Sequence, residues 1–342
     1  AAAEARRARL EETLGRGPSA PPPAGADEPG PAPGASGGLP SLALPDSAGF
    51  NTALLYAATF LFGTNQLCNK IATGAHSPSS VNALRFLAAS AVMLPAMRRG
   101  FARPEMRRDG LELGLWLLIG YSAQSLGVAQ TTAGHAAFAT TFTVLTVPLI
   151  AGLGGRRIPA STWAAGAAAM LGVALLDGGG EGLSIGQGDL LCVLSAVFFG
   201  VHKVRMEGAT ARFPDDTEAL TGMQIAVVTL GSLLWAGPEV AGVLREGGLT
   251  GLADFAAHLP WATAVYMGVA TTALTLWMEA RAMKVVSAPM AALIYSSEPL
   301  WGAGLAFLVL GERWGPAGVA GASLILGSSI ATQLGGDKTK QE

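Results

Sequence analysis

The chain contains 342 residues, of which 50% are apolar or aromatic and only 13% are Asp, Glu, Lys or Arg. Soluble domains carry about 25% charged residues, so this composition excludes an ordinary soluble enzyme. The net charge of −2 argues against nucleic acid as a partner. Cys68 and Cys192 lie inside apolar stretches, where we expect them to pack rather than form a disulfide or a metal site.

Residues 1–49 differ in composition from the rest of the chain. Charged residues such as Arg6 and Glu11 are followed by a Pro-, Gly- and Ala-rich stretch that reaches Pro45. Such a segment buries too little apolar surface to offset the entropy lost on ordering, so we expect a disordered tail. The segment has no apolar core typical of a secretory signal, whereas the remnant of an organelle-targeting leader stays open.

Beyond this tail, apolar runs of about 20 residues follow one another to the end of the chain. About 20 residues of helix span the hydrocarbon core of a bilayer. Pro, Gly or charged residues bound most of the runs, as expected for helix starts and loops. The sequence therefore predicts an all-α polytopic membrane protein with ten transmembrane helices, at residues 50–73, 79–97, 111–131, 134–153, 159–177, 187–206, 218–236, 259–281, 286–309 and 316–334.

The basic residues predict the orientation of these helices. With the N-terminus inside, the loops on that side hold most of the Lys and Arg residues, whereas the opposite loops hold only Arg245 and Arg313. Because cytoplasmic loops are enriched in Lys and Arg, both termini are expected on the cytoplasmic or stromal side. A plasma membrane and a plastid envelope both fit this pattern.

The chain divides into two halves of five runs each, residues 50–177 and residues 187–334, followed by a polar tail at 335–342. Phe62-Gly63 aligns with Phe199-Gly200, and Pro148-Leu149 aligns with Pro299-Leu300. An odd number of helices in each repeat gives the two repeats opposite orientations in the membrane. Inverted repeats of this kind are typical of secondary transporters, whose substrate site lies between the halves near the midplane.

Several short motifs occur in an order that resembles EamA-type members of the drug/metabolite transporter (DMT) superfamily, over about residues 50–334. They are Phe62-Gly63-Thr64-Asn65, Arg85-Phe86, Glu298-Pro299-Leu300 and Leu310-Gly311-Glu312-Arg313. The resemblance implies two inverted five-helix repeats and transport of small metabolites by alternating access. The first half departs from the family pattern, because Arg156-Arg157 replaces the usual Gly-Glu pair and Val147 stands opposite Glu298.

Ionisable and polar side chains inside the apolar runs are the candidate functional residues. Placing a charge at membrane depth costs at least about 2.5–3.5 kcal/mol on insertion scales, so such residues usually serve function. Arg85 is either functional or architectural, and Glu298 either carries a proton or pairs with Arg85 or Lys203. We expect a shared polar cavity lined by Asn65, Gln66, Asn69, Arg85, Tyr121, Gln124, His202, Lys203, Gln224, Trp277, Tyr295 and Glu298.

The sequence contains no nucleotide-binding loop, HExxH, serine elbow or CxxC motif, so we expect neither an enzyme nor a metal or organic cofactor. The leading hypothesis is a secondary transporter whose partners are a small-molecule metabolite and membrane lipid, with a homodimer left open. A non-transporting membrane sensor or assembly factor is one alternative. A carrier of sugar phosphates or nucleotide sugars is another, although phosphate favours several converging cations.

Overall fold

The computed structural model describes residues 47–131, 136, 139–176, 186–301 and 315–336. Helices joined by short turns make up this part of the chain, and no β-strand occurs within it. The all-α prediction is therefore confirmed for these residues. The helices are α1 (Ala48–Ala75), α2 (Pro78–Phe101), α3 (Pro104–Gln130), α4 (Thr143–Leu153), α5 (Ala160–Leu176), α6 (Gln187–Arg212), α7 (Thr217–His258), α8 (Trp261–Gly268), α9 (Thr275–Ala282), α10 (Ala288–Tyr295) and α11 (Pro316–Gly336).

Local chemistry explains where the first helices begin. The Ser47 hydroxyl accepts a hydrogen bond from the Phe50 amide at 3.3 Å, and the Ser77 hydroxyl accepts one from the Ser80 amide at 3.2 Å. A serine at this position satisfies an amide that has no partner within the helix. Pro78 occupies the first turn of α2, where its missing N–H costs no helical hydrogen bond.

Helix α7 is longer than the predicted span at 218–236. It continues through Pro238, which removes one hydrogen bond without ending the helix. At Gly248 the backbone adopts φ +59° and ψ −153°, a left-handed conformation that favours glycine, and a second helical stretch then runs to His258. The helix prediction was therefore too short at this end.

Two other predicted elements differ from the structure in shape. The run 259–281 forms α8 and α9 joined by a π-helical segment, Val269–Leu274, and π-helical turns are frequent at functional sites. The run 286–309 forms α10, followed by a turn at Ser296 and Ser297 and a further helical stretch at 298–301. The remainder of that run, most of the predicted tail 1–49, the link 177–185 and residues 337–342 lie outside the described residues.

The described helices bury polar side chains and expose apolar ones. On α1, Asn65 and Asn69 are buried, whereas Leu67 is 57% exposed and Ile71 is 63% exposed. Leu190 and Leu234, on α6 and α7, are exposed to a similar degree. This distribution is the reverse of a soluble protein and matches a bundle whose outer surface faces lipid.

Packing between the helices repeats from one half of the chain to the other. The most extensive contacts include two between helices at equivalent positions of the halves, α2 with α7 and α5 with α11. Contacts of α3 with α6 are matched by contacts of α1 with α8 and α9. Contacts of α4 with α6 are likewise matched by those of α10 with α1. Each of these contacts between helices therefore has a counterpart in which the equivalent helices of the other half meet.

By length and apolar composition alone, two described helices could cross a bilayer, Pro78–Phe101 and Thr217–His258. Three further helices are apolar but shorter. Helix α1 is long enough, with 28 residues, but its row of buried polar side chains lowers its mean hydropathy. The ten spans predicted from the sequence stay a prediction.

Ion pairs join neighbouring helices at the ends that carry the arginine-rich loops. Their partners are close, for example 2.7 Å for Arg99 with Glu218 and 2.6 Å for Arg205 with Glu112. Exposed pairs of this kind contribute about 0–1 kcal/mol each. They therefore organise this surface rather than determine the stability of the bundle.

Candidate functional site

A central cavity lies between the two halves of the chain. The volume that the centre of a water molecule can occupy in it is about 70 Å³. A single water needs about 10–15 Å³ by this measure, so the cavity holds several waters or a small solute. The first half contributes α1, α3 and residues near the start of α4, and the second contributes α6, α9 and Glu298. Its lining residues are Phe62, Asn65, Gln66, Leu117, Tyr121, Gln124, Thr140, Thr143, Phe199, His202, Lys203, Leu276, Glu279 and Glu298.

An ion pair between Lys203 on α6 and Glu279 on α9 is the electrostatic centre of this cavity. The Lys203 Nζ lies 2.8 Å from the Glu279 Oε1, and the two side chains are only 9% and 3% exposed. The same Nζ lies 4.1 Å from the centre of the Tyr295 ring, which is a cation–π contact. The Lys203 charge also acts on Glu298, so one cation serves two carboxylates.

His202 faces a different partner from its neighbour Lys203. Its Nε2 lies 2.7 Å from the Gln224 Oε1, and the Gln224 amide group donates to the Leu220 carbonyl at 3.3 Å. Because the Gln224 nitrogen is directed at a carbonyl, its oxygen faces the imidazole, and Nε2 carries the donated proton. The pair is buried and links α6 to α7 at the side of the cavity.

Arg85 lies behind the cavity wall, and its side chain is fully buried. Its Nε donates to the Thr272 hydroxyl at 2.7 Å, and its guanidinium carbon lies 4.8 Å from the centre of the Tyr121 ring. Tyr121 lines the cavity, so the guanidinium contacts a lining residue without being one itself. The hydrogen bond to Thr272 and the contact with Tyr121 hold the guanidinium next to the cavity, although Arg85 is not one of the lining residues.

The structure brings together most of the residues that the sequence suggested. Seven of them line the cavity, namely Asn65, Gln66, Tyr121, Gln124, His202, Lys203 and Glu298. Gln224, Tyr295 and Arg85 contact lining residues. Asn69 is buried one turn beyond Asn65 and is not part of the lining. The Trp277 indole N–H donates to Glu218 at 3.3 Å, which places Trp277 near the arginine-rich end and away from the lining.

The sequence prediction missed Glu279, the direct partner of Lys203. Its position within the apolar run 259–281, two residues before Arg281, resembles the charged end of a helix. A carboxylate inside a predicted membrane span was the available signal, because an unpaired charge there is costly. The predicted pairing of Lys203 with Glu298 was therefore incomplete, since Glu279 is the closer carboxylate.

The polar groups of the cavity are suited to binding a solute. They are amides, an imidazole, hydroxyls, the Lys203–Glu279 ion pair and the Glu298 carboxyl group, all of which can hold a solute by hydrogen bonds. Among the described residues, no group of three or more His, Cys, Asp or Glu side chains could hold a metal ion. Cys68 and Cys192 are unlinked, and Cys192 packs among apolar side chains, as expected.

Fold and cavity together define a class, helical membrane proteins that enclose a polar chamber between two repeats. The EamA-like transporter family matches residues 51–176 and 186–332. The chain therefore belongs to this family, as the sequence motifs implied, and is a multi-pass membrane protein built from two repeats. The family assignment agrees with the prediction.

The chain is also similar to two individual proteins. An uncharacterized transporter of Archaeoglobus fulgidus is 30% identical over 149 residues, which cover 43% of this chain. The match spans 46% of that relative, a little under half of its length. A protein of known crystal structure has a TM-score of 0.60 and 21% identity, over 84% of this chain and 98% of its own. At this identity the likeness concerns the fold.

Proposed function

We propose that the protein is a secondary transporter that moves a small organic metabolite by alternating access around the central cavity. The observation that carries this proposal is the composition of the cavity, whose polar lining comes from both halves of the chain. A solute held between two repeats can be exposed to either side when the repeats rock against each other. A sensor or scaffold has no need for such a chamber.

The proposal includes ten membrane spans arranged as two inverted repeats, with both termini on the cytoplasmic or stromal side. The exchange of neighbours between the halves supports the repeat, and two matches to one family support its boundaries. The arginine-rich ends, tied by ion pairs such as Arg212 with Asp109, support the orientation.

Reconstitution of the full chain into liposomes tests the transport activity. Uptake and exchange of a panel of amino acids, amines, organic acids and sugars are measured with and without a proton gradient. Glu298→Gln and Gln66→Ala alter the lining and are expected to reduce flux at least about tenfold, the effect of losing one hydrogen bond to a charged group. Glu246→Gln, at an exposed position outside the cavity, is the matched control and keeps the flux.

Two results would contradict this function. Wild-type liposomes that move no member of the panel faster than protein-free liposomes would remove the transporter assignment. Normal flux in both lining variants, with normal folding, would remove the cavity from the transport path.

Accessibility of single cysteines tests the orientation. After Cys68→Ala and Cys192→Ala, Arg99→Cys and Glu246→Cys are introduced separately at exposed positions. A membrane-impermeant thiol reagent is expected to label them from opposite sides in sealed vesicles. Labelling from the same side would contradict the proposed topology.

A further inference from the structure

Arg85 is a fully buried cation with most of its hydrogen-bonding capacity unused among the described residues. A guanidinium has five N–H donors. In Arg85 the Nε edge is satisfied by Thr272, but neither terminal nitrogen, Nη1 nor Nη2, has a hydrogen-bond partner among the described residues. Within the same part of the chain, no carboxylate forms an ion pair with Arg85, whereas Lys203 has Glu279.

The π-helical segment Val269–Leu274 holds Arg85 in this position. The Thr272 hydroxyl donates its proton to the Met267 carbonyl, five residues earlier, at 2.7 Å. The lone pairs of the same hydroxyl therefore face the Arg85 Nε. The neighbouring Thr271 hydroxyl lies 2.7 Å from the Asn65 Oδ1, at the cavity wall. One distorted turn thus orients both the guanidinium and a lining amide.

A second unsatisfied side chain belongs to the adjoining helix. Asn69 on α1 is fully buried, and neither atom of its amide group has a hydrogen-bond partner in the described chain. Asn69 follows Cys68, which packs with Val81 and Met267. Val81 precedes Arg85 by one helical turn on the same face of α2. Cys68 and Val81 therefore mark a contact between α1 and α2, the two helices that carry the unsatisfied side chains.

The aromatic contacts of Arg85 do not replace an anion. Its guanidinium carbon lies 5.2 Å from the centre of the Phe86 ring and 4.8 Å from that of Tyr121. Such contacts are individually weaker than a buried ion pair, so they leave the guanidinium charge only partly compensated. An arginine kept in this state is costly for stability, and function is the usual reason for such a cost.

We propose that the Nη1 and Nη2 edge of Arg85 binds the carboxylate of the transported molecule, so that the substrate is an organic carboxylate. This inference rests on the proposed transport function and names its substrate class. Two parallel N–H donors match the two oxygens of a carboxylate. The substrate approaches Arg85 from the cavity beside Tyr121, whose ring both lines the cavity and contacts the guanidinium.

A carboxylate fits the charges of this site better than a phosphate does. A phosphate carries about two negative charges and favours several converging cations. Arg85 is the one buried cation of the described site without an acidic partner, because Lys203 already lies 2.8 Å from Glu279. A single negative charge neutralises the Arg85 guanidinium, whereas the second charge of a phosphate would have no cation of its own.

Matched pairs of small probes test this assignment on the purified full chain. Aliphatic and aromatic monocarboxylates, each with its primary amide, and inorganic phosphate are compared by thermal-shift titration at constant ionic strength. We expect carboxylates to raise the unfolding temperature while their amides and phosphate do not. Arg85→Met is expected to weaken the carboxylate affinity about ten- to hundredfold, and Arg85→Lys less, because an ammonium keeps the charge without the fork.

Folding controls separate a binding role from a structural one. Without probe, Arg85→Met is expected to unfold at the wild-type temperature or above it, because it removes an unpaired buried charge. Arg99→Gln changes an exposed arginine and keeps the carboxylate response. Equal responses to acid and amide in every pair, or a carboxylate response that survives in Arg85→Met, would overturn the assignment. A lower unfolding temperature of Arg85→Met without probe would also overturn it, since it indicates a structural arginine.

The transport assay distinguishes failure of this site from failure of the proposed function. Carboxylate binding that depends on Arg85, without flux in liposomes, would refute the transporter and retain the binding site. Flux of uncharged or cationic solutes that continues unchanged in Arg85→Met would retain the transporter and refute the carboxylate site.

Discussion

The buried pair of Lys203 and Glu279 allows a prediction about stability that depends on the geometry of the cavity. The perturbations are Lys203→Met, Glu279→Gln and the double variant. Each single change leaves one member of the pair without the contact now made at 2.8 Å. In a buried site, removing one partner costs about 3–5 kcal/mol, because the remaining charge is desolvated and uncompensated.

The surroundings make the two single losses unequal. After Glu279→Gln, Lys203 keeps the Tyr295 ring at 4.1 Å and the attraction of Glu298, so the loss is expected at the lower end, about 3 kcal/mol. After Lys203→Met, Glu279 loses the cation that contacts it, and no other ion pair with Glu279 occurs among the described residues, so we expect about 5 kcal/mol. The double variant removes both charges and is expected to lose less than Lys203→Met alone.

Unfolding midpoints of the four proteins in one detergent, followed by tryptophan fluorescence, measure this cycle. Exposed Arg205→Gln serves as the control, because its ion pair with Glu112 contributes at most about 1 kcal/mol. If the stability lost in the double variant equals the sum of the two single losses to within about 0.5 kcal/mol, the coupling between Lys203 and Glu279 is refuted. A larger loss of stability in Glu279→Gln than in Lys203→Met would refute the argument that Glu298 and Tyr295 partly compensate the Lys203 charge.

Two further predictions concern the packing around the site. A Cβ at Gly268 would lie 2.3 Å from the Arg85 carbonyl oxygen, so Gly268→Ala is expected to destabilise the protein by about 1–3 kcal/mol. The control is Gly208→Ala at an exposed position with nothing within 4 Å, which is expected to stabilise its helix slightly. Unfolding midpoints measure both effects, and equal effects would contradict the close approach of α2 and α8. The Glu239 carboxylate accepts hydrogen bonds from Ser79 and Ser80 at 3.0 and 2.8 Å, so Glu239→Gln should lower the unfolding free energy by about 1 kcal/mol. Glu246→Gln is its control, and a loss of equal size there would remove the role of the hydroxyls.

Much of the fold was predictable because lipid imposes a simple rule. Apolar runs of about 20 residues identified α1 to within two residues at each end and the starts of α2 and α6 to within one residue. Where the chain departs from a simple span, the rule fails. Pro238 does not end α7, and the π-helical segment within 259–281 has no signature in apolar composition. Both features depend on which backbone groups neighbouring helices can satisfy.

The sequence predicted which residues would line the candidate site better than it predicted which of them would contact each other. Polar residues inside apolar runs identified Asn65, His202 and Lys203 as lining residues. Spacing along the sequence did not indicate that Lys203 would meet Glu279, which is 76 residues away. It also did not indicate that Trp277 would turn toward Glu218.

The sequence by itself determined that the chain is helical, repeated and suited to lipid, because these properties follow from how apolar and polar residues alternate along one dimension. The tertiary structure alone decided which buried charges neutralise each other and which do not. Lys203 reaches a carboxylate across α6 and α9, while Arg85 reaches, among the described residues, a single hydroxyl on one edge. The physical reason is that electrostatic energy depends on distances across the bundle, and those distances exist only once the helices have packed.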